Sequence, residues 1–265
     1  MIIAQEISYF ARTSHRNGNI PFGIRQTDRL SHMYVIGKTG VGKSTLIEAL
    51  ARQDLDAGRG VALIDPHGDL VEAVAEYAEA RGYPNVHYLN APNHKQPYGY
   101  NPLRRVGDDK IPLATSGLIE TLKKLWPDAW GVRMEHVLRN TLYALLERSD
   151  ATLPDILRMY ASEAYRKSVA RDIRNETVRR FWQHEFEHYH FRQKADVVAP
   201  IQNKLGALLS DPMLYRILVE PKADLHFRSL MDRGEVLLVN LSKGRLGEDS
   251  SSVLGGLIVS TLALA

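Results

Sequence analysis

His32-Met33-Tyr34-Val35-Ile36-Gly37-Lys38-Thr39-Gly40-Val41-Gly42-Lys43-Ser44-Thr45 is the stretch on which the reading of this chain turns. An apolar run, read as a short strand, leads into a glycine-rich turn, and Leu46, Ile47 and Leu50 open a helix behind it. Gly37 to Ser44 fits the spacing G-x-x-x-x-G-K-[ST] of a phosphate-binding loop. Glycines permit the tight path that turns consecutive N–H groups inward onto an anion. The helix that follows adds the positive end of its dipole. Lys43 is placed to reach β- and γ-phosphates, and the Ser44 hydroxyl to ligate Mg²⁺. The candidate nucleotide-binding residues are therefore Gly37, Lys38, Thr39, Gly40, Val41, Gly42, Lys43, Ser44 and Thr45, with ATP and Mg²⁺ as the expected cofactors.

Outward from the loop, strands and helices alternate. The first helix is expected from about Ser44 to Ala57, with Leu46, Ile47, Leu50 and Ala51 at helical spacing and Gly58 and Gly60 as its stop. Val61-Ala62-Leu63-Ile64 is a continuous apolar run, as in a strand buried on both faces of a parallel sheet. It ends in Asp65-Pro66-His67-Gly68-Asp69. A second amphipathic helix follows through Leu70, Val71, Val74 and Ala78 to Gly82, then a strand at Val86–Leu89. This rhythm implies right-handed βαβ crossovers and an α/β fold with a parallel sheet. Residues 1–31 read as a lead-in strand and loop.

From about Ile111 to about Val219 the pattern is helical throughout. Met134, Val137, Leu138, Thr141, Leu142 and Leu145 form its clearest stripe, and Pro112, Pro127, Pro154, Pro200 and Pro212 punctuate it. So long a helical stretch exceeds a crossover and reads as an inserted all-α subdomain. Glu235–Leu241 returns to strand, and a helix starts near Ser250. The expected division is a nucleotide-binding domain at 1–105 and 222–265, its C-terminal part incomplete, with an all-α insertion at 106–221.

The 265 residues are 44% apolar and 25% charged, with a net charge of +3. Those values are ordinary for a globular protein and only mildly basic, compatible with nucleic acid without requiring it. The absence of cysteine excludes disulfides and thiolate metal sites. Met1–Arg12 lacks the pattern of a signal peptide. The apolar run Val253–Ala265 is too short to span a bilayer and stops without a helix-ending signal, so the chain reads as a fragment.

Mg²⁺-dependent phosphoryl transfer also needs an acid at the end of a second strand. Asp65 is the candidate, either as the metal-side catalytic acid or as a supporting residue beside the γ-phosphate. The strand ending in Asn240-Leu241-Ser242 carries no carboxylate.

The run from His32 to Leu70, together with Trp130–His136, Ala199–Lys204 and Leu241–Asp249, resembles the conjugative coupling ATPases of type IV secretion, TraG/TraD-like proteins within the HerA–FtsK branch of RecA-like P-loop ATPases. The resemblance covers most of the chain. It implies a RecA-like P-loop NTPase interrupted by an all-α insertion, and an ATPase that translocates DNA. The family's Walker B Asp-Glu pair lies beyond the helix at which this chain stops, so the resemblance implies that the catalytic glutamate is missing here. It further implies a homo-oligomeric ring, a hexamer, with DNA, secretion-channel proteins and a relaxase as partners. The implied location is cytoplasmic, at the inner face of the inner membrane through partners or through an anchor in a longer parent. Two alternatives stand beside this one: a HerA/FtsK-like translocase in repair, segregation or packaging, and a nucleotide-binding module without turnover.

His184-Glu185-Phe186-Glu187-His188 fits the zinc-binding H-E-x-x-H pattern, but no third ligand stands at a suitable distance and Phe181, Trp182 and Phe186 look like packing residues. A packed helix without zinc is expected. Arg158 to Lys204 holds ten Lys/Arg against six Asp/Glu, and Arg166, Lys167, Arg171, Arg174, Arg179 and Arg180 are interleaved with Tyr165, Phe181 and Trp182. That is a candidate surface for DNA phosphates, with Arg171 and Arg174 expected on one helical face. Arg133 and Arg139 are weighed as arginine fingers against plain ion pairs. Ser242-Lys243-Gly244 and Gly247 are weighed as phosphate sensors at a strand's carboxyl end against a plain loop.

Overall fold

The computed structural model describes residues 7–15 and 18–265; residues 1–6 and 16–17, within the expected lead-in, lie outside the described residues. The chain forms two compact units, residues 1–90 with 229–242 and residues 91–228 with 243–265.

In the first unit, β1 (Ile7–Arg12) and β2 (Pro21–Arg25) make an antiparallel hairpin. Helix α1 (Lys43–Asp56) docks on it through Gln53, whose side-chain amide accepts from the Tyr9 N–H and donates to the Tyr9 carbonyl, both at 2.8 Å. The amide thus satisfies a strand residue as a neighbouring strand would. Asp54 of α1 is buried and receives a two-pronged bond from Arg29 at 2.6 and 2.7 Å. Paired this way, a buried carboxylate keeps its charge without an unmet acceptor. Gly58, at φ +65°, ends the helix where the sequence places the stop.

Strands β3 (Val61–Asp65), β4 (Val86–Asn90) and β5 (Val236–Asn240) form a parallel sheet in the order β3–β5–β4. Every residue of the central β5 is buried, which explains its unbroken apolar sequence. Helix α2 (Asp69–Ala80) lays Val71, Val74 and Ala78 into a core with Ala51, Leu55, Leu63 and Leu238. One expectation fails: His32–Ile36 is not a strand and pairs with none of the described strands. Met33, Tyr34 and Ile36 are exposed, Tyr34 at 88%. An apolar run becomes a buried strand only with a ladder partner and cover on its faces, and the described strands supply neither there.

The second unit is helical: α3 (Ile111–Leu125), α4 (Val132–Leu146), α5 (Leu153–Ala161), α6 (Glu163–Asp172), α7 (Phe191–Ser210), α8 (Pro212–Leu218) and α9 (Glu248–Leu264). All six positions of the α4 stripe are buried. Pro112, Pro154 and Pro212 sit in first turns, where no helical N–H is lost, whereas Pro200 lies inside α7 and the helix runs on past it. Tyr98–Gly99 pairs in parallel with Ala223–Asp224, and Arg216 of α8 donates to the carbonyls of Ala91, Asn93, His94 and Gln96. These contacts bring residues 91–105 and 222–228 into the helical unit, beyond the expected bounds of 106 and 221. Helix α9 belongs there too: Thr121 of α3 bonds Ser260, and a Cβ on Gly117 would strike Leu264. Among the described residues, no helix is long and apolar enough to cross a membrane.

Candidate nucleotide-binding site

The candidate loop closes tightly on itself. A Cβ on Gly37 would come within 2.7 Å of Val41 Cγ2. Gly40 and Gly42 adopt φ of +83° and +93° with open space around each absent Cβ, so the backbone path and not crowding demands glycine. Helix α1 starts at Lys43 with Gly42 as its N-cap, with no side-chain cap and no acidic residue in its first turn. Its first N–H groups and its dipole therefore face the loop without an anion from its own first turn. Lys43 Nζ donates to the carbonyls of Gly37 and Lys38, each at 2.7 Å, which folds the lysine over the loop. Ser44 and Thr45 are exposed. Mg²⁺ takes few protein oxygens and completes its shell with phosphate and water, so a hydroxyl at the Ser44 position suits it.

Asp65, at the carboxyl end of β3, is 5% exposed. Its carboxylate accepts from the backbone N–H groups of His67 at 2.9 Å, Leu70 at 2.9 Å and Val71 at 3.2 Å. It thereby supplies the anion for the N-terminus of α2 and holds the turn that leads there.

Asp65, Asn240 and Asn90 lie in one register row at the carboxyl edge of the sheet. Asn240 is fully buried. Its Nδ2 donates to Glu72 Oε1 at 3.0 Å and contacts the Tyr88 hydroxyl at 3.2 Å, and its Oδ1 accepts from the Ser242 N–H at 2.9 Å. Gly68, at φ +100°, packs so closely that a Cβ would stand 2.8 Å from Asn240 Oδ1. Sequence reading noted only that this strand lacks a carboxylate. A polar residue ending an otherwise apolar strand was the available signal. Ser242 thus joins this network, and Lys243 pairs with Glu248 at 3.5 Å.

In the helical unit, Phe181, Trp182 and Phe186 are buried and ring-packed, while His184 and His188 are exposed. Phe181–Glu185 is a turn of π-helix, and His188 Nδ1 lies 2.5 Å from the His184 carbonyl. Glu185 is bonded by Tyr189 at 2.9 Å, and Glu187 by Arg166 at 2.8 Å. The basic segment is committed in part, with Arg171 and Arg180 exposed. Arg166 is buried beside Glu187, Lys167 pairs with Glu163, and Arg174 bonds Asp108. Helix α6 ends at Asp172, with Ile173 extended, so Arg171 and Arg174 do not share a helical face. Arg139 bonds Glu135 at 2.8 Å, and Trp130 donates to the same carboxylate at 2.7 Å. Trp130, then Arg139, hold Glu135 below the ordinary carboxylate range. Arg133 is exposed.

The model of the central domain of helicase HerA matches residues 13–261. The chain belongs to that family. Among solved structures, the bacterial conjugative coupling protein TrwBdeltaN70, in its unbound monoclinic form, is similar, with a TM-score of 0.56 at 17% identity, over 93% of this chain and 55% of that one. The chain thus spans just over half the length of that protein, and the likeness is one of fold: a RecA-like P-loop NTPase with a parallel sheet and a helical insertion. No curated protein matches the sequence. Within this HerA-family chain the segments 130–136 and 199–204 meet, with Met134, Pro200, Ile201 and Lys204 lining a cavity of about 10 Å³. That contact gives both segments a packing task.

Proposed function

We propose that this HerA-family chain is the nucleotide-binding part of an ATP-driven DNA motor of the conjugative coupling type. The observation that carries the reading is the N-terminus of α1, where a glycine loop, an uncapped helix dipole and Lys43 converge. In this reading the N–H groups of Gly37–Thr45 bind the phosphates, and Lys43 leaves the Gly37 and Lys38 carbonyls for the β- and γ-oxygens. Mg²⁺, held through Ser44, neutralises charge on the phosphates. Asp65 acts as the supporting residue, because its carboxylate already serves three N–H groups. No other described acid is assigned to orient the attacking water, so this chain alone binds MgATP and turns it over slowly. The full-length protein assembles as a ring, a hexamer, on DNA. It works at the cytoplasmic face of the inner membrane beside secretion-channel and relaxase partners.

The test is ATP hydrolysis by the full-length protein with and without DNA. Stimulation by DNA supports a motor, and an unchanged rate sinks it in favour of a passive binder. The HerA family model favours a second reading, a translocase of the HerA kind serving repair, segregation or packaging. Retention of a relaxase–DNA complex by the purified protein selects the first reading, and its failure selects the second.

A further inference from the structure

We propose that Asn240 is a positioning residue for ATP hydrolysis, acting through Glu72 and the turn after β3; the inference rests on the ATPase reading above. A buried carboxamide carries two donors and two acceptor lone pairs, and each is costly to leave unmet. At Asn240 they go to three separate pieces of chain, and a fourth packs against the amide. Nδ2 reaches Glu72 in the first turn of α2 and Tyr88 on β4, and Oδ1 takes the Ser242 N–H on the segment leaving β5. Gly68, buried and left-handed, seats its backbone against the same amide.

The turn on which Gly68 sits is fixed from its other side by Asp65, through His67, Leu70 and Val71. His67 and Asp69 flank Gly68 and are exposed. All of this stands at the carboxyl edge of the parallel sheet, the edge at which open α/β sheets take their ligands. A plain core position in the middle of a sheet would be filled more cheaply by Val or Leu, as at the four preceding residues of β5. The polar group at its end therefore fixes the geometry of the edge. Asn240 lies outside the phosphate loop, so its loss leaves binding in place and slows the chemical step.

The donor and acceptor roles suggest the experiment. In Asn240→Asp, a carboxylate faces Glu72 where a donor stood. In Asn240→Asp with Glu72→Gln, the donor and acceptor trade places; the Ser242 N–H keeps its acceptor, and the Tyr88 hydroxyl, which accepts from Nδ2 in the wild type, must donate instead. Steady-state ATP hydrolysis is measured in the full-length protein from pH 6 to 9, with ATP affinity and melting temperature measured alongside. The single variant is expected to lose about tenfold or more in kcat with KM unchanged within about twofold. It recovers toward low pH as the facing carboxylates come to share a proton. The double variant is expected to regain wild-type kcat and a flat profile. A single variant with wild-type kcat overturns the proposal. So does a double variant that stays slow, or a loss of ATP affinity and melting temperature in step with kcat. Where Asn240→Asp does not fold, Glu72→Ala gives the same reading, and an unchanged kcat there overturns it as well. A wild-type protein that binds ATP without hydrolysing it contradicts the motor reading instead, which separates the two failures.

Discussion

Two turns of the first unit are built alike and finished differently. Each leads through a positive-φ glycine into a helix, Gly42 at +93° into α1 and Gly68 at +100° into α2. At α2 the chain provides its own anion, since Asp65 accepts from Leu70 and Val71 while Asp69 and Glu72 fill the first turn. At α1 the first turn carries no acid, and Lys43 folds its ammonium over the loop. A helix N-terminus favours negative charge wherever it comes from. One turn meets that demand internally and becomes architecture; the other does not, and in the function proposed above a phosphate meets it.

The comparison breaks most sharply at Lys43. Lys43→Ala is expected to weaken ATP binding by about 3 kcal/mol, on the order of a hundredfold, because charge-assisted bonds to phosphate are lost. Melting temperature should hold, and calorimetry on a folded variant is the check. Asp65→Ala should do the reverse, lowering unfolding free energy by about 2–3 kcal/mol as buried N–H groups lose their acceptor. ATP affinity should barely move, and denaturant unfolding paired with calorimetry separates the two effects.

The glycines sharpen the contrast on a smaller scale. Gly42→Ala meets open space and should cost about 1–2 kcal/mol of backbone strain. Gly68→Ala adds a collision with Asn240 Oδ1 at 2.8 Å and should cost more in the same denaturant series. A larger loss at Gly42 would mean that the phosphate loop carries folding contacts of its own.

The smallest effect lies at the opposite edge of the sheet. Arg233, and then His87, hold Glu235 down to about 2. A carboxylate depressed on folding contributes stability that is fully present above its unfolded range near pH 4.5 and lost as pH falls through about 2. Glu235→Gln should therefore be somewhat less stable than wild type at neutral pH, where the contribution is fully present, with the difference shrinking as pH falls between those limits in acid-unfolding measurements.

Much of this was legible in the chain. The α4 stripe, the strand at Val61–Ile64, the Gly58 and Gly82 stops and the glycine turn that opens α1 are local patterns, and local patterns persist in the fold. What was not legible depended on partners distant in sequence. His32–Ile36 has the composition of a strand, but composition does not supply a ladder partner. Arg171 and Arg174 have helical spacing, but the helix ends between them. The roles of Asp65 and Asn240 rest on which lone pairs are already taken, and Glu72 lies 168 residues from Asn240. The outer bounds of the helical unit were missed for the same reason, since they are set by pairing between residues 98–99 and 223–224.

That pairing has a topological consequence. Because Tyr98–Gly99 and Ala223–Asp224 are hydrogen-bonded neighbours, everything between them is a closed excursion whose exit and entrance coincide. The entropy of bringing the ends of a long segment together grows only slowly with its length. The excursion can therefore lengthen, shorten or be exchanged for another of equal mouth while the three strands keep their register. The excursion is, in that sense, a cartridge: its contents are free to diverge under two conditions, that its two ends still clasp and that α3 keeps its seat for α9.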